Sequence, residues 1–492
     1  MYHPPSKRTE FWRRTLTYSA MVLAILGLVT ALVFVILGYR FNGDDGKIEQ
    51  GGLVQFASQP GGATITLDGL PFGARTNAKT TMAAGTHHVV MSRTGYQEWR
   101  KTVAVVPGAV LWLNYARLIP QELPVESVAS LPTVSSSATA SNKEWIVLAT
   151  DPALPELQLA HIRENEPTMT KLALPQDLYT APMEGKTQQF TVVEWDKDSR
   201  HVLVKHTIEG VERPEWLMID TRAVAESKNI TRLLNIDSSE MRFSRTGSQA
   251  LYALTAGDVR KIDLGAGTLS RPLVSNVAEF DLYRDTGVTY VTKPQPETQQ
   301  RAVGYALDSE EAPRTLRTFT GESVAPLHIA IGEYFDDTYV AIAHGSTVSI
   351  VTGELPKTAA GLDAMQHVAA MKLSTPVNRL TILTEGRFVV AEMNDTYAVY
   401  DLEIKRETVT ALKGAPADTA RKLQWIDGYM PWSDRDGTLR LYEFDGANQH
   451  DIMPVVPGQT VTLSRNGTYL YSIGKSAEAD TYQLQRVRLI LP

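Results

Sequence analysis

The chain holds residue types that do chemistry, but few stand at spacings that chemistry needs. One close carboxylate pair is in Ser433-Asp434-Arg435-Asp436-Gly437, where Asp434 and Asp436 flank one arginine. Hard oxygen ligands suit calcium, but an EF-hand-type loop needs more side-chain oxygens and a Glu farther on, so the stretch reads as an exposed hairpin turn. Asp336-Asp337 reads the same way. His87 and His88 are adjacent, and His201 and His206 are five apart, so on strands each pair splits between opposite faces. His328 and His344 fall in one repeat and have a route to approach each other. No Gly-x-Ser-x-Gly elbow occurs. Nor is there a His-Glu-x-x-His pair or a phosphate-binding glycine loop with Lys-Ser/Thr. There are no cysteines, which removes thiolate nucleophiles, thiolate metal sites and disulfides. No catalytic residue, metal or cofactor is therefore expected. The remaining candidates are the aromatics Trp425, Tyr429 and Trp432. Exposed, they suit contact with a sugar or a protein, since Trp and Tyr dominate hot spots. Buried between repeats, they need no ligand.

The elements that would position these residues are long-range. At 492 residues the chain exceeds one ordinary domain. Charged residues make up 21% and hydrophobic ones 43%, a globular balance. The net charge of -7 argues against a nucleic-acid binder, which usually shows a basic face.

Residues 15–39, TLTYSAMVLAILGLVTALVFVILGY, carry no charge. About 20 apolar residues span the hydrocarbon core, and this run is longer than a signal-peptide core of about 7–15. No A-x-A-like cleavage site directly follows it. An uncleaved single-pass helix through the bilayer is expected over 15–39, with residues 1–14 as a short N-terminal tail. Lys7, Arg8, Arg13 and Arg14 precede the run, while Asp44, Asp45 and Glu49 follow Arg40. Lys and Arg favour the cytoplasmic side, so the N-terminus is expected inside and the bulk of the chain outside. Residues 40–52, polar and glycine-rich, read as a linker.

From residue 53 the pattern becomes period two. Ala63, Ile65 and Leu67 alternate with Thr64, Thr66 and Asp68, and Asp68-Gly69 is a strong hairpin signal. Further strands follow in 86–96, 98–108 and 109–118, giving five or six strands. The ordered series Ser58-Gln59-Pro60-Gly61-Gly62-Ala63, Asp68-Gly69, Gly73, Gly85-Thr86-His87 and Gly95-Tyr96 resembles the PEGA domain over residues 53–119. Gly61 or Gly62 stands at the Glu of that signature, and Arg75-Thr76-Asn77 replaces the usual Thr-Pro. The resemblance implies a small β-sandwich-like module on a bacterial surface protein, used for binding or spacing. Tyr96 reads as a core aromatic.

Residues 117–141 are Pro- and Ser-rich and read as either a linker or a weak strand. Beyond them, residues 358–371 are the best helical candidate, and they are short and weakly patterned. A polar turn followed by β-formers recurs at 141, 196, 244, 283, 333, 383, 425 and 464. Most copies lead to a further strand ending in an Asp-rich turn, such as WLMIDT and YAVYDLE. Four strands per unit of about 43 residues is propeller spacing. Phe243-Ser244-Arg245-Thr246-Gly247-Ser248 and Leu463-Ser464-Arg465-Asn466-Gly467-Thr468 resemble the Phe-Ser-Pro-Asp-Gly-Lys repeat of TolB-like and WD-repeat-like propellers. That resemblance implies a propeller of seven or eight blades over 120–492, closed by an early strand pairing with residues 481–491. Two consecutive sandwiches are the alternative.

The expected whole is a mainly β chain with one N-terminal transmembrane helix, a PEGA-like β-sandwich and a seven- or eight-bladed β-propeller. It reads as a cell-surface scaffold binding a cell-envelope protein or polysaccharide. A propeller hydrolase or lyase acting on envelope glycans or peptides is the rival, and it requires ionisable groups converging on the central channel. An assembly factor binding partners through its membrane helix is a third reading.

Overall fold

The computed structural model describes residues 7–36, 39–42, 47–163, 166–320, 325–356, 362–383, 386–414, 423–476 and 481–492. The chain divides into two compact units, residues 1–122 and 123–492.

The first unit opens with a helix, Lys7–Ile36. It starts earlier than the expected 15–39, because Lys and Arg are good helix formers and the basic flank continues the helix. Its apolar stretch Phe11–Phe34 is 24 residues long with none of it buried. That length is about 36 Å, enough to cross a bilayer core. The hydroxyls of Thr15, Thr17 and Thr30 donate to the carbonyls of Phe11, Arg13 and Leu26, so they are satisfied within the helix. Within the expected linker 40–52, Tyr39–Asn42 pairs antiparallel with Lys47–Gln50.

Seven strands follow between Gly52 and Arg117, more than the five or six expected. The additions, Leu70–Arg75 and Ala78–Met82, are masked in the sequence by Pro, Gly and Asn. One sheet joins Ala78–Met82, Gly52–Gln59 and Val110–Arg117, the last two parallel. The other joins Leu70–Arg75, Thr64–Leu67, Gly85–Ser92 and Trp99–Val105, all antiparallel. Phe56, Ile65, Met91, Trp99 and Leu113 are buried in this unit, and Tyr96 is buried with them. Asp68 and Gly69 form the two-residue turn between Leu67 and Leu70, with φ of 50° and 82°. Positive φ at both positions is what a type I′ hairpin needs. His87 Nδ1 lies 2.6 Å from Asp68 Oδ2, and His88 Nδ1 lies 3.0 Å from Thr102 Oγ1, so the two imidazoles serve separate partners, although the His88 amide also donates to Asp68.

Among the described residues the second unit holds eight four-stranded antiparallel sheets, an arrangement consistent with a propeller. Sheets 1 to 4 occupy residues 136–173, 188–229, 240–269 and 277–319; sheets 5 to 7 occupy 327–372, 379–411 and 424–454. Sheet 8 joins Thr462–Leu463, Tyr469–Lys475 and Tyr482–Arg488 to Val125–Leu131 from the start of the unit. The Pro/Ser-rich passage is therefore strand: Val125–Leu131, then Ser136–Thr139. Each recurring polar turn lies between the first and second strands of one sheet. Its polar side chain is structural: Asp196 accepts from the amides of Arg200 and His201, and Ser464 accepts from the amide of Tyr469.

Residues 366–372 correct the helical reading. Gln366–Lys372 is the fourth strand of sheet 5, paired with Thr347–Thr352; Leu362–Ala364 is a single 3-10 turn, and 358–361 lie outside the described residues. Sheet pairing overrides the helix preference of its alanines.

Packing follows strand parity. In sheet 2, Val202 and Val204 pack with Val147 and Leu157 of sheet 1, while Leu203 between them packs with Met241 and Leu251 of sheet 3. In sheet 5, Val340 and Ile342 face sheet 4, and Ala341 and Ala343 face sheet 6. Ile146 and Leu148 of sheet 1 join Tyr471 and Leu484 of sheet 8. Gly386 sits where a Cβ would be 1.7 Å from the carbonyl oxygen of Glu333, so sheets 5 and 6 approach too closely there for a side chain.

Leu203 is fully buried. Leu203→Ala is expected to cost about 2–5 kcal/mol in a urea unfolding titration. Phe335 has φ of 52° and is 83% exposed, a costly conformation for a bulky side chain that packs little. Phe335→Asn, which tolerates that region, is expected to gain about 1 kcal/mol in the same titration.

Candidate functional site

The first strands of the sheets converge on one polar space. Those of sheets 1, 2, 7 and 8 supply residues around a cavity of about 500 Å³, including Thr139, Glu194, Trp425 and Thr462. Those of sheets 3 to 6 supply residues around a second, of about 300 Å³, including Arg242, Asp281, Ile329 and Arg379. A third, of about 270 Å³, shares Trp425 with the first and Arg242 with the second, so the three run together.

Arg242 is the central charge. Its Nε lies 3.2 Å from Glu194 Oε2 and its Nη1 lies 3.1 Å from Asp281 Oδ1, tying sheets 2, 3 and 4 together. The Phe243 amide donates to Glu194 Oε1 at 2.6 Å. Onward, His328 Nδ1 of sheet 5 lies 2.9 Å from Glu279 Oε2 of sheet 4, and the Leu423 amide donates to Glu392 Oε2 of sheet 6 at 2.8 Å. At the other end, the hydroxyls of Thr139 and Thr460 are 2.7 Å apart, and Ser137 Oγ donates to Gln459 Oε1 at 2.8 Å.

Burial pushes the Glu194 carboxyl above its usual range, with Arg242 partly offsetting it. Burial also pushes Glu240 up, against Arg242 and with Asp281, Glu279 and Glu194 adding to the rise. The Glu240 carboxyl makes no hydrogen bond or ion pair among the described residues, whereas Glu194, Asp281, Glu279 and Glu392 are each engaged.

Trp425 and Trp432 both line the 500 Å³ cavity, from neighbouring strands of sheet 7. Trp425 is half-buried, and Trp432 is buried at 4% exposure. Tyr429 goes elsewhere: its ring lies 5.7 Å from Phe388 and 6.3 Å from Phe444, beneath the Arg387 guanidinium. The structure therefore brings two of the three aromatics together and leaves the third in a packing cluster.

The other polar candidates are occupied by structure. Asp434 accepts from the Gly458 amide and Asp436 from Arg440. His201 bonds Asp196, His206 bonds Glu215, and His344 stacks on Phe319 away from the partners of His328. Burial would raise the Glu215 carboxyl, but bonds from His206, Thr180 and Asn229 hold it well below the usual range. Among the described residues no group of three or more His, Asp or Glu is placed to hold a metal ion.

Sequence reasoning missed Glu194, Glu240, Arg242 and Asp281. A signal for three of them was present: each is a charged residue two positions before the recurring turn.

A carboxyl raised in the fold keeps a proton that the unfolded chain releases. Its stabilising contribution is full below the unfolded value of about 4.3 and is lost as pH rises through the folded value. Glu240→Gln is expected to raise the melting temperature by a few degrees at pH 8 and to leave it unchanged at pH 4. Equal shifts at both pH values would contradict this account of Glu240.

Comparison with known proteins gives a coarse placement. No curated protein matches the chain. Many solved chains match, 856 in all. Among them, a chain of a structure titled "Crystal Structure of Mitotic Checkpoint Complex" is 10% identical, with 74% of this chain and 91% of that one covered at a TM-score of 0.33. Residues 52–118 match the PEGA domain.

Proposed function

We propose that this chain is a membrane-anchored, extracytoplasmic binding or scaffold protein. The helix holds it in the bilayer with the N-terminus inside. An eight-bladed propeller, closed by Val125–Leu131 on Tyr482–Arg488, binds a cell-envelope protein or polymer at its axial cavity. The observation that carries this reading is the convergence of the first strands of all eight sheets on one polar space with Trp425 at its wall. The fully exposed apolar helix and its basic N-terminal flank support the anchoring and orientation. The PEGA match supports a place at the cell surface.

One observation favours the rival, a hydrolase or lyase of envelope glycans or peptides. Glu240 is an unengaged carboxyl with a raised pKa in the same space, the condition in which a general acid works.

The full chain with a C-terminal epitope, expressed in intact cells, is expected to lose that epitope to added protease. The purified full chain in detergent is expected to retain envelope protein or polymer from an extract. An epitope protected until lysis would reject the orientation, and no retained envelope component would reject the binding role. Turnover of the retained material, abolished by Glu240→Gln, would replace the binding reading with the enzymatic one.

A further inference from the structure

We propose that the 500 Å³ end of the axial cavity is a subsite for a neutral saccharide, with a sugar ring against Trp425. This rests on the reading of the cavity as the binding site. Ligand pockets of this size are usually lined mainly by apolar side chains with a few polar anchors. Here the balance is reversed. Ser137, Thr139, Gln459 and Thr460 stand around a half-buried indole, with Trp432 behind the same wall.

The hydroxyls are already ordered. Ser137 Oγ accepts from the Thr460 amide at 2.8 Å and donates to Gln459, and the Thr139 and Thr460 hydroxyls bond each other. A hydroxyl has one donor and two acceptor lone pairs, so this ladder offers fixed acceptors toward the cavity. An apolar occupant would leave their remaining lone pairs unmet. A polyol brings hydroxyl donors for them and a face of C–H bonds for the indole.

Charge argues against an ionic occupant at this end. Lys143 Nζ lies 3.3 Å from the Ile426 carbonyl oxygen, and Glu194 is bound by Arg242 and the Phe243 amide. The unengaged carboxyl, Glu240, lines the 300 Å³ cavity instead. The two ends thus differ in kind: at one the hydroxyls predominate and the charged groups Lys143 and Glu194 are already hydrogen-bonded, while at the other a carboxyl stands unengaged.

The test is calorimetric titration of the full chain in detergent with cellotetraose, maltotetraose, chitotetraose and, as a cationic peptide, tetralysine. At least one of the three saccharides is expected to bind with a Kd below about 1 mM. Trp425→Ala is expected to weaken that binding at least tenfold, Trp425→Phe to keep most of it, and Tyr429→Ala to leave it unchanged. If circular dichroism shows that Trp425→Ala does not fold, Thr460→Val takes its place with the same expected loss. No saccharide binding at that level, binding by tetralysine alone, or saccharide binding indifferent to the cavity variant overturns the subsite. Envelope material retained equally by wild type and Trp425→Ala would leave the broader binding role standing while removing the saccharide.

Discussion

The second strand of each sheet must be dry on both sides, and most of the second unit follows from that. Val202, Leu203 and Val204 are consecutive and all fully buried. Neighbours on a strand point to opposite faces, so one sheet cannot cover all three. Two flanking sheets are required, and the residues sort between them by parity. The same sorting in sheets 1 and 5 makes every interior sheet both host and cover. At about 25 cal/mol per Å² of apolar area, the shared interfaces are where the stability of the stack resides.

This packing consumes the apolar side chains of the second and third strands and leaves the first strands a different task. They converge where the sheets come closest together, and there the chain places charge. Burying Glu194, Asp281 and Arg242 apart from one another would be costly, and placing them on three adjacent sheets lets each satisfy another. The polar space is therefore also a set of fasteners between sheets. Glu240 stands outside those fasteners, so its carboxyl meets the cost of partial burial with only the more distant charge of Arg242 to offset it.

Much of the repeat was legible in the sequence because turns write themselves locally. Asp196, Ser244 and Ser464 cap backbone amides or hydroxyls within a few residues, so their spacing marked each first-to-second strand connection. Asp68-Gly69 announced its hairpin for the same reason. What stayed hidden depends on partners distant in sequence. Gln366–Lys372 is rich in helix-tolerant residues and becomes a strand only beside Thr347–Thr352. Leu70–Arg75 and Ala78–Met82 are strands by pairing rather than by composition. The site was the least legible part. Glu194, Arg242 and Asp281 are spread over a long stretch of chain, and only the fold makes them neighbours, while Trp425 and Tyr429, close in sequence, part ways around a turn.

The strand Val125–Leu131 is the edge of sheet 8 and the first strand of the second unit. The covalent path from the N-terminal side enters the second unit just before it. Its register runs from Val125 opposite Val487 to Leu131 opposite Tyr482. Tension along the strand axis strains that whole ladder at once, whereas tension across it peels the pairs singly from Val125 onward. The attachment is thus a directional clasp, strong in line and weak to the side.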